Sequence, residues 1–309
     1  MENLRRAAVE QDQLSRVFRI KEHLETLNTC VLDQANLETL GVIIDYPLNV
    51  DSIRGPWNLG PRFFEPWVSS ELLTEAGADW LHTWEAGIIT DHKLAGWQCG
   101  EIRAQWFHGC LKNLYKLNSE LWEPWKVDPY TLREGTGLDL ALHRFDFFDD
   151  LTGQYSDREY EPEAAFFPVD KAKPHVDCFV IDSKIEPDNQ VLCSEVYYAA
   201  ELVRFRLEKG EHSGHHTKPG IIYTLQRDLF TRITQAHFDG KTNKLVLRRS
   251  RRLELRGPKP TSDAYLLVRC MASRPVGETE YIDEVEAPDD ETTSNDSPDT
   301  ASKFLLGCA

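Results

Sequence analysis

The sequence predicts an α+β protein, with a helical, tryptophan-rich N-terminal half packed on a C-terminal α/β sheet domain and followed by a disordered acidic tail. Three observations carry this. All eight tryptophans fall between Trp57 and Trp125, among segments of helical spacing. From His175 onward, short apolar runs bounded by turn residues follow a strand-helix-strand-hairpin order. Residues 278–299 hold ten acidic groups and no Lys or Arg, too polar a composition to build a core. The expected divisions are a helical subdomain over 1–130, a connecting region over 131–170, the sheet domain over 171–277 and the tail over 278–309.

Leu14, Val17, Phe18, Lys21, Leu24 and Leu27 follow a 3.6-residue spacing and predict a first helix. Prolines 47, 56, 61 and 66 with glycines 41, 55 and 60 make residues 41–68 read as irregular. A helix capped by Ser69 or Ser70 follows. Then comes a long amphipathic run over 91–121, with Leu94, Trp97, Ile102, Trp106, Cys110, Leu114 and Leu117 on one face. Residues 128–170, rich in Gly and Pro, read as a connection. His175-Val176-Asp177-Cys178-Phe179-Val180-Ile181 predicts a buried strand, and residues 189–209 a helix ended by Gly210. A strand over 221–225 and a hairpin of residues 231–238 and 244–255 around Asp239-Gly240 come next. Asp263 is placed to cap a last helix over 264–271.

Without the tail, residues 1–277 carry 34 basic and 41 acidic groups, net −7. Overall charge therefore neither favours nor excludes nucleic acid, and local patches must decide. Seven scattered cysteines without a Cys-x-x-Cys pair suit a reducing compartment. Neither a secretory signal nor an 18-residue apolar window is present, so a soluble, cytoplasmic protein without membrane contact is expected.

Several groups could carry chemistry. Asp182-Ser183-Lys184 ends the buried strand, where open α/β sheets place ligands. It is also a D-x-K triplet, which in PD-(D/E)xK nucleases lies on one strand face and holds a metal ion. Pro168-Val169-Asp170 would be its upstream partner, and Asp91-His92-Lys93 shows the same triplet in a helical run. Tyr197 and Glu201, four apart on one helical face, could hold an amine and move its proton, or could be ordinary core and edge residues. Asp146-Phe147-Phe148-Asp149-Asp150 is similar to terpene-synthase metal motifs but reads better as a solvated acidic cluster. His212, His215 and His216 could ligate zinc but read as a solvated linker. Residues 241–259 hold eight basic groups. Strand alternation puts Arg248 and Arg252 on one face and Arg249 and Arg251 on the other, which predicts a projecting or edge strand. With Lys244, these four arginines suit phosphate contacts.

The stretch Tyr197-Tyr198-Ala199-Ala200-Glu201-Leu202-Val203-Arg204-Phe205 resembles the Tyr-x-x-x-Glu segment of cyclodipeptide synthases, which join amino acids from two aminoacyl-tRNAs into a diketopiperazine. The strand from His175 to Ser183 is similar to their strand ending in a nucleophilic serine. Here the serine precedes the tyrosine by fourteen residues, where the bacterial enzymes have well over a hundred. Overall character, including His237-Phe238-Asp239-Gly240, resembles the fungal group that includes arginine-containing cyclodipeptide synthases.

The resemblance implies a cytosolic enzyme of secondary metabolism with Tyr197, Glu201, Asp182 and Ser183 in its catalytic site. Aminoacyl-tRNA is the expected partner, held by Lys244, Arg248, Arg249, Arg251 and Arg252. Because the aminoacyl ester is already activated, no cofactor is required, and the sequence has no P-loop. The rival expectations are a nuclease-like protein, active or inactive, and a non-catalytic interaction protein.

Overall fold

A computed structural model describes residues 2–27, 29–51, 60–67, 69–86, 95–117, 125–127, 160–168, 170–187, 190–210, 212–239 and 242–281. The acidic cluster 146–150, the triplet 91–93, Gly240, Lys241 and the tail from 282 lie outside the described residues. In chain order the elements are α1 (Glu2–Thr26), β1 (Val31–Leu32), α2 (Gln34–Leu40), β2 (Val42–Ile44), β3 (Phe64–Glu65), α3 (Glu71–Ala78), α4 (Leu81–Ala86) and α5 (Ala95–Leu117). Next come β4 (Trp125–Val127), β5 (Tyr160–Pro168), β6 (Val176–Asp182), β7 (Val191–Leu192), α6 (Cys193–Lys209) and β8 (Gly220–Gln226). The described chain closes with β9 (Phe230–Asp239), β10 (Lys244–Arg249), β11 (Leu253–Glu254), α7 (Ser262–Met271) and β12 (Arg274–Pro275).

The fold is mixed α+β around one large sheet of order β2-β10-β9-β8-β6-β5-β4, with β11 beside β9. β6 and β8 are parallel and in register from Val176↔Gly220 to Asp182↔Gln226, joined through α6. Both strands are buried along their whole length and mostly apolar, as central parallel strands covered on two faces are. One face meets α5, whose Trp106, Phe107 and Leu111 share a core with Phe179 and Ile181. The other meets α6, where Val196, Ala199, Ala200 and Val203 join Val176, Cys178 and Val180. α1 adds Val17, Ile20 and Leu24 to that second core, so α6 is enclosed on nearly every side. Trp84 and Trp106 are fully buried, with ring centroids 4.9 Å apart edge to face and the Arg103 guanidinium 3.6 Å over Trp84. These two tryptophans are packing residues.

Several expectations change. Residues 41–68 contain β2, which pairs in parallel with β10, and β3, which pairs with β12. The connecting region contributes the nine-residue β5, where a register shift beside Pro162 lets a proline sit inside the sheet. The sheet is thus assembled from three of the four expected segments. The basic strand is neither projecting nor at an edge: β10 lies between β2 and β9, with Leu245–Leu247 buried. α7 is capped by the Thr261 hydroxyl, which accepts from Ala264 N–H at 3.1 Å, and not by Asp263.

The histidine loop is no solvated linker. His212 is buried, and residues 214–216 pair with 279–281 through His216 N–H to Thr279 O at 2.8 Å and Tyr281 N–H to Gly214 O at 3.0 Å. The first residues assigned to the tail are therefore docked, and the Arg6 guanidinium lies 4.7 Å over the Tyr281 ring. Among the described residues, no group of three His, Cys, Asp or Glu side chains could hold a metal ion, and no helix is long and apolar enough to cross a membrane.

Gly277 sits at φ +87°, and a Cβ there would run into the Arg62 carbonyl oxygen. Gly277→Ala should therefore destabilise by more than about 1 kcal/mol in urea unfolding, against the gain that Gly→Ala gives at a compatible site. A stabilised variant would show that the β3–β12 junction can shift.

Candidate active site

β6 stops at Asp182 because the chain folds back there: Lys184 N–H donates to Asp182 Oδ1 at 2.8 Å, an Asx turn. The other carboxyl oxygen accepts from the Ser194 hydroxyl at 2.5 Å. Ser194 lies in the first turn of α6, reached from β6 through the loop and β7, so the βαβ crossover brings strand end and helix start together. Both side chains are buried. Burial pushes the Asp182 carboxyl up to about 7, with hydrogen bonds from Ser194 and Lys184 N–H opposing it. A carboxyl that titrates near neutrality and touches a serine hydroxyl can accept that proton.

Beside this pair lies a buried network of acids and arginines. Glu195, fully buried, reaches back to Leu192 N–H at 3.1 Å and accepts from Thr234 Oγ1 at 2.6 Å. Burial would raise its carboxyl, but Arg249 and Thr234 outweigh that and hold it below the usual range. Arg249 donates to Glu195 at 2.8 Å and to Glu186, and its Nη1 reaches Gln190 O at 3.0 Å. Arg232 Nε donates to Glu186 Oε2 at 2.6 Å. Glu186 comes from the loop after β6, Glu195 from α6, Arg232 from β9 and Arg249 from β10. The network pins all four elements at the carboxyl ends of the parallel strands.

The structure separates the residues that the sequence grouped. Ser183 lies in the bend after β6, and among the described residues no acid or histidine is hydrogen-bonded to its side chain. Tyr197 is buried, its ring 5.8 Å from Tyr160 and 5.1 Å below the Lys21 ammonium. Tyr160 is the register partner of Asp182, which links the two places through one ring. Glu201 is held by Lys21 and by Arg204 at 2.5 Å and is almost fully buried. Desolvation would raise its carboxyl, but the Arg204 and Lys21 hydrogen bonds prevail and keep it ionised. Glu201 therefore clasps α1 to α6 and does not face an open cavity as a proton acceptor.

The D-x-K reading loses its geometry. Asp182 and Lys184 do not share a strand face, because the strand ends at the first of them. Asp170 belongs to the other end of the sheet: Tyr160 pairs with Asp182, whereas Phe166, near the far end of β5, pairs with Asp177. His175, at that same far end, is buried and its imidazole is pushed down to about 3 by desolvation.

The arginine array is largely committed within the fold. Arg248 is buried, donating to Pro61 O at 2.7 Å. Arg249 belongs to the network above. Arg251 pairs with Asp51 and Asp263, each at 2.7 Å, and Arg252 with Asp228 at 2.5 Å. Lys244 is exposed at the start of β10. Ser194, Glu186, Glu195 and Arg232 were not singled out from the sequence. The local sequence carries a signal for Ser194 and Glu195 alone, a Ser-Glu pair at the start of a helix after Val191-Leu192.

Comparison with known proteins returns no relative: no family model, no curated protein and no solved structure matches this chain.

Asp182 binds its proton more tightly in the folded protein than in the unfolded chain, so its contribution to stability falls as pH rises from about 4 to about 7 and is level above. Asp182→Asn removes that slope. Relative to wild type, the variant should gain up to about 4 kcal/mol between pH 4 and pH 8 in urea unfolding. Parallel pH profiles would mean an ordinary carboxylate.

Glu201→Gln leaves Lys21 and Arg204 without their shared partner and should cost about 3–5 kcal/mol. Adding Lys21→Met should recover part of the loss, and strictly additive effects would show that no clasp exists.

Proposed function

We propose that this chain is an enzyme of cyclodipeptide-synthase type, which takes aminoacyl groups from aminoacyl-tRNA and joins two of them into a diketopiperazine. One observation carries the reading: Ser194, in the first turn of a seventeen-residue helix, donates its hydroxyl at 2.5 Å to an acid that titrates at about 7. A serine so placed has its base at hand, and the positive end of the helix dipole favours the charge that develops on an attacked carbonyl oxygen.

In the proposed reaction Ser194 Oγ attacks the ester carbonyl of the first aminoacyl-tRNA while Asp182 takes the hydroxyl proton. The bond to the ribose oxygen breaks, and that oxygen leaves with the proton, giving a seryl ester and free tRNA. The α-amine of a second aminoacyl-tRNA then displaces Ser194 to form dipeptidyl-tRNA. Closure of the remaining amine on its ester releases the cyclic product and the second tRNA. Every step exchanges an ester for an ester or an amide, so the energy comes from the substrates. Ser194 is buried, so substrate entry requires the protein to open locally at the start of α6. The resemblance of the chain's overall character, including His237-Phe238-Asp239-Gly240, to the fungal group adds the expectation that arginine is one of the joined residues. Tyr197 and Glu201 contribute by holding α6 in place.

Expression in a host with normal tRNA pools should yield a new cyclic dipeptide detectable by mass spectrometry. In vitro, ribonuclease should stop its formation. Ser194→Ala should abolish the product, and Asp182→Asn should lower the rate by about 10²–10⁴-fold. Product formed from free amino acids and ATP, or a fully active Ser194→Ala, would overturn the reading.

A further inference from the structure

The loop after β6 dips into the protein at one residue. Ile185 is 49% exposed and Pro187 is exposed, yet Glu186 between them is 4% exposed. Its carboxylate is received by groups on the sheet. Arg232 Nε donates to Oε2 at 2.6 Å, Arg249 Nη2 to Oε1, and Gln226 Nε2 to Oε2 at 3.2 Å. Arg232 and Arg249 stand on β9 and β10, neighbouring strands of the rigid sheet, whereas the anion between them comes from a connection. Other partners hold both guanidiniums in position independently of that anion. Arg249 is anchored by Glu195 and Gln190 O, and Arg232 by Ser250 O. Without Glu186 there would remain two fixed guanidiniums converging on one point, with fewer acids than they need. That is the arrangement that suits a phosphate, whose oxygens accept from two planar donors at once. Glu195, which holds Arg249, follows Ser194 directly in the chain.

We propose that Arg232 and Arg249 form a phosphate subsite, that Glu186 is its resting occupant, and that the phosphodiester of a single-stranded RNA 3′ end displaces it. The proposal rests on the reading of Ser194 for its substrate, since the nucleotide bearing an aminoacyl ester carries a phosphodiester on its 5′ side.

The test uses the full chain and a short unacylated single-stranded RNA ending in CCA, with binding read by fluorescence anisotropy at fixed low salt. Glu186→Gln should bind this RNA about tenfold more tightly than wild type, because an internal anion in place nine-tenths of the time masks the site by that factor. Adding Arg232→Gln should return affinity to the wild-type level. Inorganic phosphate should compete with the RNA in Glu186→Gln if the phosphate group alone is recognised; an RNA that phosphate cannot displace is bound elsewhere and overturns the subsite. No tightening in Glu186→Gln, or tightening that survives Arg232→Gln, overturns it as well. Should Glu186→Gln not accumulate as folded protein, Glu186→Asp serves, since it keeps the charge but shortens its reach; unchanged affinity in that variant counts against the proposal. None of these measurements needs turnover. Tightened binding in a protein that forms no seryl ester would support the subsite and remove only the role of Ser194.

Discussion

The Arg249 guanidinium is largely withdrawn from water, its side chain 10% exposed, and the architecture around the candidate site depends on how its charge is satisfied. A buried charge is tolerated only when paired and hydrogen-bonded. Arg249 meets that demand with Glu195 from α6, Glu186 from the loop after β6 and the Gln190 carbonyl just before β7. Three pieces of chain are thereby fixed against β10. The same contacts set where α6 begins and so where Ser194 meets Asp182. An arginine that looks like surface charge in the sequence is a keystone because it faces into the fold.

The legible parts of the sequence were those whose signal is local. The apolar runs of β6 and β8, the 3.6-residue spacing of α1 and α5, and Gly210 ending α6 in a left-handed conformation at φ 63° all follow from neighbouring residues. What stayed hidden depends on distant partners. Val42–Ile44 is a strand only because Leu245–Leu247 lies beside it, some two hundred residues on. β5 carries a proline that speaks against a strand until the bulge beside it is known. The arginines between 248 and 252 alternate as an edge strand would, and nothing in their spacing shows that acids from the β6 loop, from Asp51 and from Asp228 come to meet them. For the site, Asp182 was legible as a polar residue at a strand end, but its partner serine was not. The distance from Asp182 to Ser194 is set by a loop whose path only the tertiary structure gives.

The Tyr-x-x-x-Glu pattern teaches a related point about α6. On an isolated helix, Tyr197 and Glu201 would present a polar stripe to solvent. Here the stripe is covered by α1, and Lys21 serves both residues at once, paired with the carboxylate and placed over the ring. A covering helix converts a face that could do chemistry into one that does packing. The same cover leaves the N-terminal turn of α6, with Ser194 and Glu195, as the part of the helix that addresses the strand ends.

Three polar contacts that hold α1 share one property: their partners come late in the chain. Lys21 waits for Glu201, Glu10 for Lys218, and Asp12 for Asn243. Synthesis proceeds at roughly 5–20 residues per second, so the first helix emerges roughly 10–40 s before the acid that clasps it exists. During that interval its apolar stripe of Val17, Ile20 and Leu24 lacks the α6 part of the core it packs into. A helix made well before α6 is seated only once α6 exists, and in the cell the nascent chain must keep that stripe shielded until the ribosome has passed α6.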